Sequence, residues 1–387
     1  MAVTTIESNN KLIRFTQQIN REFCRENMFS PYMGEDLTAI IRVRSELKAG
    51  GEIMNIPIVA RLTGSGVTTG TLVGNEERID NYGQRVRVDW ARHAVVTTKA
   101  ESQKDSADIF GEAKPLLSDW GKELQRDEII AAMMALPSET LPTSSRVNGT
   151  QYDLASATQR NAWHDANSDR IIYGAATTNF IANNHATSMS TNLDTTADKL
   201  TAANLSLAKR IAMNAIPKIR PFKTRDGYEY FVAFCGTNTF RDLKLDLNAN
   251  VNLHARMREG EGMNRNPLFQ DGDQMYDGVI ARCVPEISSF VTNVWSTAGG
   301  SSINLPSAGQ GGARVEPVFL CGQQAATLCW GQMARPTQRA EDDYGFITGT
   351  GIEMCYGVAK IFKKHPMEGS NLKQWGMVTG FYATTAD

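Results

Sequence analysis

The chain has 387 residues, 40 Lys and Arg against 42 Asp and Glu for a formal charge of −2, with 41% hydrophobic and 21% charged side chains. This usage suits two or three compact units and excludes a disordered or collagen-like chain. The charge balance gives no global attraction to nucleic acid or anionic lipid, and no stretch approaches the roughly 18 apolar residues of a membrane span.

The first residues lack a basic segment followed by an apolar core, which points to synthesis in the cytosol without a membrane step. Residues 1–50 read as an arm: Leu12, Phe15, Ile19 and Phe23 predict an amphipathic helix stopped by Ser30-Pro31. Ala39 to Leu47, with Ile40, Ile41 and Val43 between Arg42 and Arg44, predicts a strand or extended link that Gly50-Gly51 hinges to the next segment. From Glu52 to Thr98 the pattern is that of one very long β-hairpin. Ile56, Ile58, Ala60 and Leu62 alternate on the way out, and Val86, Val88, Trp90, Ala94 and Val96 on the return, around a glycine-spaced tip from Thr63 to Gly83. Each arm would reach about 35 to 50 Å, too long for a free two-stranded ribbon, so a neighbouring copy is expected to cover it.

The period then changes from two to three-and-four. Ser102, Asp105 and Ser106 are candidate N-caps of a short helix, and Pro115 opens a long one to Leu136, striped by Leu117, Trp120, Leu124, Ala131 and Met134 and ended by Pro137. A later helix is predicted with Leu200, Ala203, Leu207 and Ile211 on one face, then a strand from Tyr228 and a helix faced by Phe240, Leu243 and Leu247. Residues 257–273 read as a long loop; strands are predicted at Val279 to Val284, Phe290 to Trp295, Val315 to Cys321, Val358 to Phe362 and Met377 to Phe381. Without a regular βαβ rhythm, this is the α+β class.

No catalytic or metal constellation emerges. His93, His164, His185, His254 and His365 form no HxH, HxxxH or HExxH pair, and Cys24, Cys235, Cys283, Cys321, Cys329 and Cys355 form no CxxC pair, the reading being buried, reduced thiols with Cys321 to Cys329 on a strand and a helix. Gly64, Gly66 and Gly70 superficially suggest a phosphate loop, but they lead into a strand and no Lys-Ser/Thr follows. No cofactor or metal is expected and no enzyme is indicated. The charge clusters Glu76-Glu77 and Glu341-Asp342-Asp343 are either solvated or meet Arg85, Arg87, Arg92 or the Lys360, Lys363, Lys364 group on neighbouring copies.

The residues Gly70-Thr-Leu-Val-Gly-Asn-Glu-Glu77 and Val86-Arg-Val-Asp-Trp-Ala-Arg-His-Ala-Val95 resemble the major capsid proteins of tailed bacteriophages, in particular those of N-four-like podoviruses. The similarity continues through Asp127 to Leu136, Tyr230 to Asp246, Asn264 to Phe269 with Asp277 to Ile280, Phe319 to Ala325, and Asp343 to Phe346. It implies a Hong Kong 97-type coat fold: an N-arm at 1–50, an extended hairpin loop at 51–99, a peripheral domain with the spine helix at 100–140 and 345–387, and a mostly axial domain at 141–344. The sequence departs at Trp90, where the family favours a polar residue, and at 98–107, which lacks the family's basic run. The function implied is a major capsid protein, self-assembling from hexamers and pentamers into the icosahedral virion head around double-stranded DNA. Portal, scaffolding and possible decoration proteins would be partners, and Arg42, Arg44 and Lys48 would give weak, non-specific contact with the packaged DNA. The candidate inter-subunit residues are Glu76, Glu77, Arg85, Arg87, Trp90, Arg92, Asp342 and Asp343. Two alternatives stay open: a nanocompartment shell of the same fold, and a soluble oligomeric enzyme with an unrecognised site.

Overall fold

The computed structural model describes residues 27–62, 64–104, 109–223, 227, 229–247, 273–296, 304–339, 343–364 and 371–385. The expected helix at Leu12 to Phe23, the N-cap candidates Asp105 and Ser106, and nearly all of the loop at 257–273 lie outside these residues. The chain divides into two compact units, one built from residues 1–27, 90–125 and 332–355, the other from 28–89, 126–331 and 356–387.

The larger unit is organised by a mixed sheet in the order Asp273–Tyr276, Val279–Cys283, Glu229–Cys235, Arg314–Cys321, Met377–Thr384, Ile171–Tyr173, with Phe222–Lys223 added beside Glu229–Cys235. Its central strands are buried at nearly every position, because both faces are covered. On one face Ala233, Val318, Leu320 and Val378 pack with Leu205 and Ala208 of helix Ala202–Asn214 and with Phe240 and Leu243 of helix Thr237–Asp246. The other face carries aromatic rings, among them Phe234, against which Phe29 packs edge-on at 5.0 Å between centroids.

Several expectations change here. The helix at 202–214 buries Leu205, Ala208 and Ala212, with Leu207 and Ile211 at the flank and Ala203 exposed; the predicted face was rotated by about one position. Residues 290–295 are not a strand but the end of helix Pro285–Asn293 and the turn after it. Pro285 starts that helix, and Ile287 and Val291, four apart, supply its buried stripe. Cys329 lies on strand Ala326–Gln338 rather than on a helix.

In the smaller unit the outer halves of strands Ala326–Gln338 and Ile347–Lys360 continue beside Asp89–Thr98, and the first half of helix Ala113–Met134 packs there. Gly121 on that helix sits 3.4 Å, measured from where a Cβ would stand, from the Met354 methyl, which lets the helix lie close against the sheet. Pro115 is third rather than first in the helix, and the short helix before it is Lys99–Lys104, with the Thr98 hydroxyl accepting from the Glu101 amide at 3.4 Å.

The larger unit also holds a buried polar chain. A carbonyl can only accept, so the 2.8 Å contact between His164 Nε2 and the Ile181 oxygen places the proton on Nε2. Nδ1 of His164 then accepts from the Tyr173 hydroxyl at 2.7 Å, Tyr173 accepts from His185 Nδ1 at 2.5 Å, and His185 Nε2 accepts from the Tyr152 hydroxyl at 2.8 Å. One carbonyl thus sets two tautomers and two hydroxyl directions, with both rings neutral. Burial pushes both histidines below their ordinary value, His185 furthest, and His164 and Arg160 add to that effect at His185. All four side chains are sealed from solvent, which makes the chain a core fastening rather than a reaction site.

Because the folded values are depressed, this network contributes fully above pH ~6.5 and its contribution is lost as pH falls below that, toward the folded values, by up to about 1.4 kcal/mol per pH unit for each histidine. Urea unfolding of the unassembled subunit at pH 7.5 and 5.5 measures the loss. His185→Gln is expected to make it shallower, whereas an unchanged slope would show that His185 accepts a proton freely in the folded chain.

Candidate assembly surface

The hairpin is shorter than its sequence pattern. Strands Ile53–Val59 and Asn81–Arg87 pair antiparallel in a single register from Ile53↔Arg87 to Val59↔Asn81. Seven residues per arm give a ribbon of about 23 Å. The remainder of the predicted return arm, Asp89–Thr98, is a strand of a different sheet, lying beside Ile347–Lys360.

Pairing within the ribbon runs on to Val88, whose amide donates to the Glu52 carbonyl at 3.0 Å, and its outer edge is met at Arg87 by a specific side chain. Asn148 accepts from the Arg87 amide at 2.9 Å and donates to the Arg87 carbonyl at 2.9 Å, so both outward-facing main-chain groups of that residue are satisfied without a third strand. Gly357 lies so close to the Arg87 carbonyl that a Cβ there would stand 2.1 Å from its oxygen. Beyond this point the parity of burial changes: Val86 and Val88 are buried, then Ala91 is, while Trp90 is 49% exposed. A one-residue slip of this kind turns each later side chain to the opposite face, so the predicted grouping of Val88 with Trp90 fails.

The apolar face of the ribbon is covered by its own unit. Met54, Ile56, Ile58 and Val86 are buried, and Gln84, 1% exposed, clamps the ribbon by donating to the Lys360 carbonyl at 2.9 Å and accepting from the Phe362 amide at 3.1 Å. The ribbon proper therefore does not need a neighbouring copy. The loop it carries, residues 60–80, does expose apolar surface: Leu62, Leu72, Ile79 and above all Val73, at 82%.

Of the sequence-derived contact residues, Glu76 and Glu77 shape this loop. Glu76 accepts from the Gly74 amide and Glu77 from the Gly64 amide, each at 2.7 Å. Arg85 points outward from the ribbon, whereas Arg87 is engaged at home, donating to the Pro142 carbonyl at 3.1 Å and pairing with Glu52. Trp90, Arg92 and Asp343 belong to the smaller unit and are exposed; Asp342 lies outside the described residues. The lysines proposed to meet the acidic clusters separate in behaviour. Lys360 is 2% exposed, held by the Met133 carbonyl at 3.2 Å with its ammonium 5.3 Å from the centre of the Trp163 ring, and burial pulls its pKa down to about 7, so it is removed from any surface contact. Lys364 pairs with Glu139 at 2.7 Å. Arg42, expected toward DNA, donates to the Glu35 carbonyl at 3.3 Å, and burial lowers the pKa of Arg44.

Sequence reasoning missed one feature entirely. Beside the root of the 60–80 loop, the larger unit has a groove of about 670 Å³, walled by the loop on one side and by Ala215–Arg220 on the other, with Lys363 and Trp375 between them. Its residues come from five separate stretches, and the available hint was the alternation of cations and prolines across 217–221. Among the described residues no group of His, Cys, Asp and Glu could hold a metal ion, and no helix is long and apolar enough to cross a membrane.

The profile of the family described as Phage capsid protein matches residues 4–380. The chain is similar to the capsid asymmetric unit of cyanophage Pam1, at 32% identity and a TM-score of 0.85 over 100% of both chains. It also shares its fold with the capsid of Ralstonia phage GP4, at 16% identity and TM-score 0.66 over 100% of this chain and 99% of that one. The head protein of Helicobacter pylori bacteriophage KHP40 gives 16% identity and TM-score 0.67 over 98% and 99%. A search of curated proteins returned no match.

Replacing Gln84 by Leu keeps the volume but strands the Lys360 carbonyl and the Phe362 amide in the interior. The expected cost is about 2 to 4 kcal/mol in urea unfolding, against less than about 0.5 for Arg85→Ala on the outer face. Equal small effects would show that the clamp does not hold the ribbon.

Proposed function

The chain belongs to the phage capsid protein family and is a major capsid protein, a structural subunit of the virion shell; we propose that its copies join chiefly through the loop at 60–80. The observation that carries this reading is the contrast within one hairpin: a ribbon whose apolar face is covered at home, bearing a loop whose apolar side chains are not. Burying them against a neighbour returns about 25 cal/mol per Å². Closed icosahedral symmetry, built from hexamers and pentamers, requires contacts on several sides of each subunit. The role is that of building material rather than of a catalyst.

The finer assignments follow the resemblance to Hong Kong 97-type coats. Residues 1–50 act as the N-arm, 51–99 as the extended loop, 100–140 with 345–387 as the peripheral domain, and 141–344 mostly as the axial domain. The order of motifs from Gly70 to Phe346 supports a place among N-four-like podovirus coats. Scaffolding and portal proteins, together with any decoration proteins, complete the set of partners. A formal charge of −2 supports only weak, non-specific contact with packaged double-stranded DNA. On this reading its synthesis takes place in the host cytoplasm.

Electron microscopy of the purified protein, with scaffold supplied, is expected to show closed shells; a small stable oligomer under all conditions would overturn the reading. Replacing Leu62 to Ile79 by a short Gly-Ser turn should leave unfolding within about 1 kcal/mol of the parent, since the ribbon keeps its clamp, yet abolish stable shells. Undiminished assembly would remove the loop from the contact.

A further inference from the structure

The groove beside the loop is a site with an unmet charge. Five cations line it: Arg61, Arg78, Lys218, Arg220 and Lys363. Among the described residues none of them has a carboxylate within the 4 Å of an ion pair. Glu77 also lines the groove but accepts from the Gly64 amide, and Asp80 acts on Lys363 only from beyond that distance. Lys363 is the sharpest case. It is 2% exposed, its ammonium stands 5.8 Å from the centre of the Trp375 ring, and burial lowers its pKa. A buried ammonium without a counter-ion is costly, and an anionic group entering the groove would relieve it. The rest of the lining is apolar: Val59, Ile216, Pro217 and Trp375. Basic rim and aromatic wall together suit an acidic segment that also carries an aromatic ring.

The smaller unit displays such a segment. Between strands Ala326–Gln338 and Ile347–Lys360 the chain turns through Asp343–Gly345, closed by the Phe346 amide donating to the Asp343 carbonyl at 2.9 Å. Asp343 and Tyr344 both have positive φ, 48° and 52°, a region unfavourable for residues with side chains. The turn holds Tyr344 fully in solvent, at 100% exposure, and leaves Phe346 at 43%. In the sequence Glu341 and Asp342 precede it. Nothing in the fold of the smaller unit requires a tyrosine there, and a ring presented on a tight turn loses little freedom when it docks.

We propose that the turn Asp343–Phe346 of one copy docks into the groove of a neighbouring copy, Tyr344 against Trp375 and Ile216, and Asp343 among Lys218, Arg220 and Lys363. This rests on the shell-subunit reading and names one of its contacts. The occupant is a second copy rather than nucleic acid because phosphates would satisfy the cations but leave the Val59, Ile216 and Trp375 side of the groove unfilled. Each copy has one turn and one groove, so the contact is head-to-tail and propagates from subunit to subunit.

The test is Lys218→Cys combined with Tyr344→Cys, assembled into shells and oxidised. A ladder of linked chains on a non-reducing denaturing gel is expected from shells and not from unassembled subunits or from either single variant. Intact shells without a ladder, or a fast-migrating band from a link within one chain, would overturn the proposal. As a second measurement, Lys218→Glu with Arg220→Glu should lower shell yield at least tenfold while urea unfolding of the subunit is unchanged, and adding Asp343→Lys should restore assembly. Normal shells that lose packaged DNA would assign the groove to nucleic acid and overturn the docking. Failure of the unaltered chain to form shells under the same conditions would instead bring down the shell-subunit reading, and the docking with it.

Discussion

The peptide group of Arg87 is where this subunit separates what it keeps from what it offers. Pairing within the ribbon ends one residue later, where the Val88 amide donates to the Glu52 carbonyl, although the sequence goes on alternating to Thr98. Asn148 takes the outward-facing amide and carbonyl of Arg87, and Gly357 leaves room for the close approach. A side-chain amide imitates a third strand for one residue, so the ribbon's outer edge is satisfied there without another strand beside it. The Gln84 clamp and the burial of Met54, Ile56 and Ile58 then fix the ribbon to its own unit. A loop offered to a neighbour is useful only if its base is anchored, since otherwise the ordering cost falls on the contact itself.

Much of the fold was legible because it follows local rules. The long helix, the strands at 279–283, 314–321 and 377–384, and the helix faced by Phe240 and Leu243 fell where periodicity placed them. The errors have physical reasons. Asp89–Thr98 alternates as a ribbon arm would, and pattern does not say which partner a strand takes. Phe290 to Trp295 is apolar enough for a strand, but Pro285 had already started a helix. The rotated face of helix Ala202–Asn214 came from preferring large side chains, whereas the sheet accepts small ones, Ala208 and Ala212, against it.

The candidate contact residues were harder, because a sequence shows charge but not whether it is spent. Glu76, Glu77, Arg87, Lys360 and Lys364 all looked available, and each has a task within the chain. Among the described residues, Arg61, Arg78, Lys218, Arg220 and Lys363 are charges without an ion pair, brought together only by folding. The resemblance carried the function further than any single residue could.

A shell must form from many copies without trapping errors, which favours contacts that are individually weak and geometrically particular. The exposed loop supplies area without much direction, because dispersion and burial are not directional. The turn at Asp343 and Tyr344 supplies the opposite: little area, but a fixed backbone, a ring and a charge in set positions. A groove that leaves Lys363 without a counter-ion discriminates strongly, because an apolar intruder gains nothing from the ammonium and a correctly placed carboxylate gains the most. With the contacts proposed above, affinity and register fall to different parts of one subunit, and neither part alone has to be strong enough to make a misplaced copy irreversible.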